Sequence, residues 1–176
     1  TVARLHWKKG HIYALQAIRE LVNRGLDIKY QIVGDGEEKE RLKFEIYDMG
    51  LSDRVQIMDW MKPEEVRDFL SQIDVFVLPS ISEGFGNVVL EAMSMSKPVI
   101  VTDVGCANAI THGVEGLVVP RRDVKQLADA IQYLYDHAEE CVQMGIAGRK
   151  AVETKYHIEM QIESFEKLYR SVLFEK

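Results

Sequence analysis

Apolar residues along the chain recur in two patterns, and these patterns alternate from one end to the other. Short continuous apolar runs are typical of strands that are buried on both faces, whereas a return every three or four positions indicates one face of a helix. The runs predict six strands, at residues 1–5, 28–33, 55–58, 75–78, 99–102 and 117–119. Helical spacing marks residues 15–22, 42–49, 66–73, the stretch after residue 87, 127–134 and 162–172.

Strands that alternate with helices favour a parallel sheet covered by helices on both sides. The predicted fold class is therefore α/β, with a Rossmann-like, doubly wound parallel sheet of about six strands. Gly25 and Gly50 stand where helices are expected to end, and Pro63 fits the first turn of another. Because no linker, repeat or low-complexity segment interrupts the alternation, residues 1–176 are predicted to form a single domain.

Composition excludes several classes of protein. The chain has 176 residues, 47% of them apolar, and a net charge of −6 with both signs interspersed, so nothing in it favours nucleic acid as a partner. No apolar run approaches the roughly 20 residues that cross a bilayer. The two cysteines lack metal-ligand spacing and are expected to be reduced thiols of a cytoplasmic protein. The start at Thr1, directly in a strand, suggests a domain cut from a longer polypeptide; trimming or processing is the alternative.

A loop between two glutamates carries the strongest chemical signal. Glu83 and Glu91 stand eight residues apart, on a stretch that follows a predicted strand and opens a helix. Gly84 and Gly86 permit unusual backbone angles and close approach to a ligand, and Asn87 is suited to cap the helix. The free N–H groups of a helix start favour an anion, whereas carboxylates suit hydroxyl groups. A ligand that is anionic in its middle and rich in hydroxyls at its ends, such as a nucleotide sugar, fits both.

Two cations stand near the start of the chain. Arg4 and Lys9 flank a predicted strand-to-helix turn, so both can reach one diphosphate, Arg as a planar fork and Lys as a mobile charge. Such a pair is also common on protein surfaces. The pair gains significance from its predicted position at the edge of the sheet, because ligands of such folds bind beyond the carboxyl ends of the strands. Four predicted strand ends carry polar residues or glycine, namely Arg4, Gly34, Ser80 and Asp103.

Two weaker candidates for ligand contact each allow two interpretations. The run from Gly34 to Gly36 predicts either a tight turn or a stretch of backbone that lies against the ligand. Trp60 and Met61 could stack on a base or simply pack at the rim. The five histidines are scattered and pair with no acid or cysteine at ligand spacing, so no metal site is expected.

Beyond these separate signals, the chain resembles glycosyltransferase family 4, a group of retaining sugar transferases with the GT-B fold. The resemblance covers nearly the whole chain, and its motifs stand in matching order at residues 2–5, 9–10, 32–36, 78–80, 83–87, 90–93, 98–100, 102–105 and 113–117. It implies that this chain is the carboxyl-terminal, donor-binding half of such an enzyme. The amino-terminal half, which recognises the acceptor, is expected to be absent.

The resemblance also implies roles for individual residues. Arg4 and Lys9 match the basic pair that holds the donor pyrophosphate, Glu91 the residue that binds ribose, and Glu83 the residue that faces the transferred sugar. Together with Arg4, Lys9 and Glu83, which are the expected catalytic group, the implied donor site comprises Gly34, Glu91 and the loop residues Gly84, Phe85, Gly86, Asn87 and Val88. No cofactor or metal is implied, since cations and the helix start would do that work.

The expected activity is transfer of a sugar from a nucleotide-diphosphate donor to a glycan or lipid-linked acceptor. The isolated domain is expected to bind donor weakly and not to turn over, and membrane association is left open only for a full-length protein. Ser96, Cys106 and Ala109 depart from the family pattern and leave the identity of the sugar open. Two alternatives remain: a sugar-nucleotide epimerase or phosphorylase of related fold, and a nucleotide-binding module without catalysis.

Overall fold

The computed structural model describes residues 1–174, in which helices and strands alternate as the apolar pattern predicts. The strands are β1 Tyr30–Val33, β2 Val55–Met58, β3 Phe76–Leu78, β4 Val99–Thr102 and β5 Gly116–Val119. The helices are α1 His11–Asn23, α2 Lys39–Asp48, α3 Pro63–Gln72, α4 Asn87–Ser94, α5 Val124–Asp136, α6 Ala138–Lys155 and α7 Ile158–Phe174. Two 3₁₀ turns complete the set, at Trp7–Lys9 and Gly105–Ala109.

The strands form two parallel groups, β1–β2 and β3–β4–β5. Residues 1–5 join the groups: Val2 forms a parallel bridge with Val33, and the Thr1 hydroxyl donates a hydrogen bond to the Val77 carbonyl. The chain thus starts in the middle of the sheet and winds outward in both directions, first through β1 and β2 and then through β3 to β5. The expected doubly wound, Rossmann-like α/β fold is confirmed.

The prediction of a regular first strand at residues 1–5 was wrong. On the β1 side the segment pairs as a strand would, with Val33 N–H donating to the Thr1 carbonyl and Ala3 N–H to the Val33 carbonyl. Towards β3 the contact is made through the Thr1 side chain. A segment with a ladder on one side and a single side-chain bond on the other closes no continuous sheet, so five strands in two groups replace the expected six.

Alternate residues of the central strands face two separate cores, which explains their uninterrupted apolar runs. Ile32, Val77 and Ile100 pack with α1, α2 and α5 on one side of the sheet. The residues next to them along the strands pack with α3, α4 and α6 on the other side, namely Val33, Phe76, Leu78, Val99 and Val101. Helices therefore cover both faces, and the carboxyl edge of the strands stays accessible.

The apolar pattern gave no sign of α6. Its buried positions include small residues and glycine, which mark no clear apolar stripe: Met144, Gly145, Gly148 and Ala151. A Cβ atom at Gly145 would lie 2.0 Å from the Ser96 carbonyl oxygen, so glycine allows this helix to lie directly on the end of α4. Glycine lowers helix propensity in isolation, and close packing overrides that preference here.

The last helix, α7, confirms the predicted helix but leaves its apolar stripe exposed. Five stripe residues are more than half accessible to solvent: Ile162, Phe165, Leu168, Tyr169 and Val172. A contiguous apolar face of this kind is typical of a surface that another element covers.

Candidate functional site

Two polar segments meet where the winding of the sheet changes direction. Residues 1–5 end at the turn Trp7–Lys9, and the neighbouring strand β3 ends at the loop before α4. The Lys8 carbonyl accepts hydrogen bonds from the N–H groups of Ile81, at 2.7 Å, and Ser82, at 3.3 Å. The turn and the loop are therefore fastened side by side at the switch point, where ligands of doubly wound folds bind.

Lys9 on the turn and Glu83 on the loop are in direct contact. The Lys9 ammonium contacts the Glu83 carboxylate, although 74 positions separate them in the sequence. Their side chains are 24% and 14% exposed, whereas every other ion pair within residues 1–174 has at least one side chain that is more than a quarter exposed. The second carboxylate oxygen, Oε1, accepts the Gly84 N–H at 3.2 Å. Glu83 is thus held on both of its oxygens.

The loop that carries Glu83 rests on the second 3₁₀ turn. A Cβ atom at Gly105 would lie 1.6 Å from the Gly84 carbonyl oxygen and 2.6 Å from that of Glu83, so no side chain fits there. Beside it, the position of a Cβ at Gly86 lies 3.1 Å from Cys106 Cβ. The position of Glu83 therefore depends on a residue more than twenty positions away that lacks a side chain.

The expected cap of α4 was wrong. Gly86, with a φ of 72°, stands immediately before the helix. No side chain caps the first N–H groups of α4. Asn87 is already inside the helix. A left-handed glycine reverses the chain sharply there, and the first N–H groups of the helix have no side-chain acceptor.

Cys106 lies beneath the loop and is fully buried. Burial and, to a smaller extent, the nearby Glu83 charge together raise the pKa of its thiol to about 11. The thiol is therefore protonated at neutral pH and is unsuited to act as a nucleophile. Cys106 and Cys141 are both free in this structure.

Arg4 stands at the other end of the turn in open surroundings. Its side chain is 70% exposed and lies 3.6 Å from the Glu37 carboxylate. Glu37 also lies 3.3 Å from His6 Nε2, while His6 Nδ1 accepts the Lys8 N–H at 3.2 Å. Glu37 thus connects the Arg4 side chain to the turn, a role for which the sequence offered no signal.

Arg4 lines an open pocket of about 680 Å³ together with Gly34, Asp35, Trp60 and Met61. This volume is in the range of small-molecule sites. A Cβ atom at Gly34 would lie 2.0 Å from the Ala3 carbonyl oxygen, so glycine is required there by the crossing of two backbone segments. This close approach accounts for the glycine by itself, and the two interpretations of the run, a tight turn or a contact with the ligand, stay predictions.

The remaining predicted residues are spread along the loop and α4. Glu91 lies one turn inside the helix, as expected, and is exposed, but no ion pair joins it to Lys9 or Arg4. Phe85 packs its ring against Tyr156 at 5.8 Å, which ties the loop to the corner between α6 and α7. Val88 is half-buried against the second core. The structure therefore brings Lys9 and Glu83 into contact, whereas neither Arg4 nor Glu91 forms an ion pair with them.

His11 was missed as a member of this region. It is fully buried at the start of α1, and its Nε2 lies 3.1 Å from the Arg4 carbonyl oxygen. Burial lowers the pKa of His11 to about 4. The sequence showed a histidine without an acidic or cysteine partner, and burial cannot be derived from that alone.

Within residues 1–174 two kinds of feature are absent. No group of three or more histidine, cysteine, aspartate or glutamate side chains converges as metal ligands would. No helix combines the length and apolar character needed to cross a membrane.

Comparison with known proteins places this geometry in context. Residues 1–151 match the profile of the family "Glycosyl transferases group 1". The chain is 34% identical to the alpha-D-kanosaminyltransferase of Streptomyces kanamyceticus over 97% of its own length and 45% of that enzyme. It is 33% identical to the amylovoran biosynthesis glycosyltransferase AmsK of Erwinia amylovora, over 89% of this chain and 40% of that one. The chain thus spans less than half the length of these relatives.

A solved structure agrees on the fold. A mutant of the Staphylococcus aureus protein TarM, crystallised with fondaparinux, alpha-GlcNAc-glycerol and UDP, superposes with a TM-score of 0.89 at 22% identity. The superposition covers 97% of this chain and 34% of TarM. At that identity the likeness establishes the fold alone, which is the Rossmann-like α/β architecture found in GT-B proteins.

Proposed function

Because the chain belongs to the group 1 glycosyl transferases, we propose that it is the donor-binding half of a retaining glycosyltransferase of family 4. The donor is a nucleotide-diphosphate sugar, and the acceptor is a glycan or a lipid-linked sugar. The names of the relatives, several of which belong to polysaccharide biosynthesis, support an acceptor of this kind. UDP in the TarM crystals supports a nucleotide donor.

The observation that carries the proposal is the contact of Lys9 with Glu83 at the switch point. A cation for phosphate and a carboxylate for hydroxyl groups stand side by side, as a nucleotide sugar requires where its diphosphate meets its sugar. Lys9 would hold the diphosphate, and Glu83 would accept hydrogen bonds from sugar hydroxyls. Arg4, across the turn, has the freedom to close on the same phosphates, since its side chain is largely exposed.

The other predicted residues complete the donor site in this proposal. Glu91 would bind ribose hydroxyls, and the backbone from Gly84 to Val88 at the start of α4 would face the sugar and the phosphate. The pocket lined by Gly34 and Trp60 is the proposed place of the base. No metal ion is invoked in this proposal, because cations and helix N–H groups would face the phosphates.

Transfer breaks the bond between the anomeric carbon and the diphosphate oxygen, so negative charge grows on the leaving group. Fixed positive groups stabilise that charge in the transition state, and the loss of one typically costs about 3 kcal/mol, or ~100-fold in rate. Retention would follow from attack on the same face, with the leaving phosphate accepting the proton of the acceptor hydroxyl. The protonated Cys106 is no covalent nucleophile, and Glu83 is assigned to binding.

The acceptor would be recognised by a second domain that covers the remainder of the length of the relatives. The exposed stripe of α7 is the proposed surface against which that domain packs. We expect the complete enzyme to work in the cytoplasm, with any membrane contact made through the other domain and with no nucleic acid partner. The chain alone is proposed to bind the donor weakly and to leave it intact.

Saturation-transfer NMR with a panel of activated sugars tests the donor assignment. We expect signals from sugar and diphosphate-linked protons with at least one donor, and their loss in Lys9→Ala. Calorimetry with UDP and GDP gives the matching affinities. Equal affinities for Lys9→Ala and the native chain would contradict the proposal, and donor hydrolysis by the chain alone would favour the epimerase or phosphorylase alternative.

A further inference from the structure

The contact between Lys9 and Glu83 places a negative charge beside the group that would hold the diphosphate. Lys9 is enclosed, and its ammonium contacts the Glu83 carboxylate before any phosphate is considered. Glu83 cannot swing away easily, because Oε1 accepts the Gly84 N–H and the loop is seated on Gly105. A phosphate that binds Lys9 must therefore share this cation with a carboxylate fixed in position.

The free-energy cost of sharing Lys9 with Glu83 depends on the group that is attached to the phosphate. In a nucleotide sugar, the second phosphate is esterified, and the sugar presents hydroxyl groups that donate to a carboxylate. After transfer the carbon–oxygen bond is broken and its electron pair stays on the phosphate oxygen. The proton that this oxygen takes from the acceptor hydroxyl passes to solvent at neutral pH, because the second ionisation of a terminal phosphate lies near pH 6. The free terminal phosphate then carries one more negative charge than the esterified one.

Resting on the proposed function, we propose that Glu83 discriminates against the free nucleoside diphosphate and so promotes its release after sugar transfer. With the sugar bound, hydroxyl groups satisfy the Glu83 carboxylate. Once the sugar has left, two like charges face each other across Lys9 in surroundings that screen them poorly. Glu83 would therefore serve both donor recognition and product release.

The chain contains a matched comparison for this effect. Arg4 also stands beside a carboxylate, that of Glu37, but both side chains are more than half exposed. Solvent and salt screen such a pair, so removal of the Glu37 charge should change anion binding little. The same substitution, glutamate to glutamine, can thus be made beside each cation.

Calorimetry with inorganic pyrophosphate tests the proposal without knowledge of the base. We expect Glu83→Gln to bind pyrophosphate about tenfold more tightly than the native chain at low salt, since one nearby like charge is removed. Glu83→Asp, which keeps the charge, and Glu37→Gln should stay within about twofold. Affinity for Glu83→Gln that is equal to or weaker than that of the native chain would overturn the proposal.

Two controls keep the failures distinguishable. Lys9→Ala must weaken pyrophosphate binding; if it does not, the phosphate grip of the proposed function is wrong, whatever Glu83 does. If Lys9→Ala weakens binding while Glu83→Gln does not strengthen it, only the inference on Glu83 fails. Circular dichroism checks that Glu83→Gln folds. If that variant does not fold, Glu83→Ala takes its place, with the same expected gain in affinity for pyrophosphate.

Discussion

The turn between the first extended segment and α1 carries a cation at each end, and the two ends lie in different surroundings. At one end Lys9 is enclosed, in contact with a carboxylate whose loop is seated on a backbone that tolerates no side chain. At the other end Arg4 lies in solvent beside Glu37 and lines an open pocket. Only a few residues separate an enclosed charge from an open one.

Similar charges in one loop can therefore take different tasks. An enclosed ion pair has a strong field and a fixed geometry, whereas an exposed pair is screened and adjustable. Lys9 is thus suited to fixing the position of a ligand, and Arg4 to closing on it afterwards. Substitutions at the enclosed end, at the open end and beneath the turn test this contrast.

The largest effect on stability is expected when a side chain is added at Gly105, which lies against the loop that carries Glu83. Gly105→Ala places a Cβ atom within 1.6 Å of the Gly84 carbonyl oxygen, so backbone must move, and we expect a loss of about 4 kcal/mol in the free energy of unfolding. Gly84→Ala is the matched control, because a Cβ there meets nothing within 4 Å. Urea denaturation measures both, and equal stabilities would show that the loop is not seated as described.

Removing the enclosed cation should affect both transfer and stability. Lys9→Ala in the complete enzyme should slow sugar transfer ~100-fold and should lower the free energy of unfolding by about 1–2 kcal/mol, since Glu83 loses its partner. Arg4→Ala should leave stability within about 0.5 kcal/mol, because its pair is exposed. Initial rates and urea denaturation separate the two effects. An equal loss of stability in both variants would contradict the contrast between the two ends.

Because His11 is buried, the free energy of unfolding should depend on pH. Burial lowers its pKa to about 4 from an ordinary value of 6.5, so the unfolded chain takes up a proton that the folded chain refuses. The contribution to stability is complete above pH 6.5 and is lost as the pH falls towards 4. Between pH 7.5 and 5 the native chain should lose about 2 kcal/mol more than His11→Gln. Parallel stability curves for the two proteins would refute this assignment.

The smallest effect is expected at the open end. Glu37→Gln removes a carboxylate that is 55% exposed, and the free energy of unfolding should change by less than about 0.5 kcal/mol. Whatever change occurs should vanish at 1 M salt, where charges are screened within about 3 Å. Thermal unfolding at low and high salt measures it. A large loss that persists in salt would mean that Glu37 is a structural support of the turn.

Local patterns predicted most of the fold, because strands buried on both faces leave continuous apolar runs. Residues 55–58 and 99–102 were placed without error. The failures arose where tertiary contacts decide. Residues 1–5 pair on one side through backbone and on the other through the Thr1 side chain, and α6 packs through glycines that no apolar pattern records.

The part of the candidate site that follows from the positions of the strand ends could be predicted from the sequence. Strand ends place Lys9 and the Glu83 loop together, and the structure brings them into contact. The expected Asn87 cap failed, since Gly86 in a left-handed conformation makes the turn. Glu37, His11 and the Phe85–Tyr156 contact depend on burial and on distances between remote segments, which one sequence does not contain.

The contact between Gly84 and Gly105 has a practical meaning for enzyme engineering. Libraries that aim to alter sugar preference should hold residue 105 constant, because every larger amino acid there disturbs the loop before it meets a substrate. Diversity is better introduced at residue 84, where a side chain enters open space beside Glu83. Variants from such a library would report on substrate choice with less interference from misfolding.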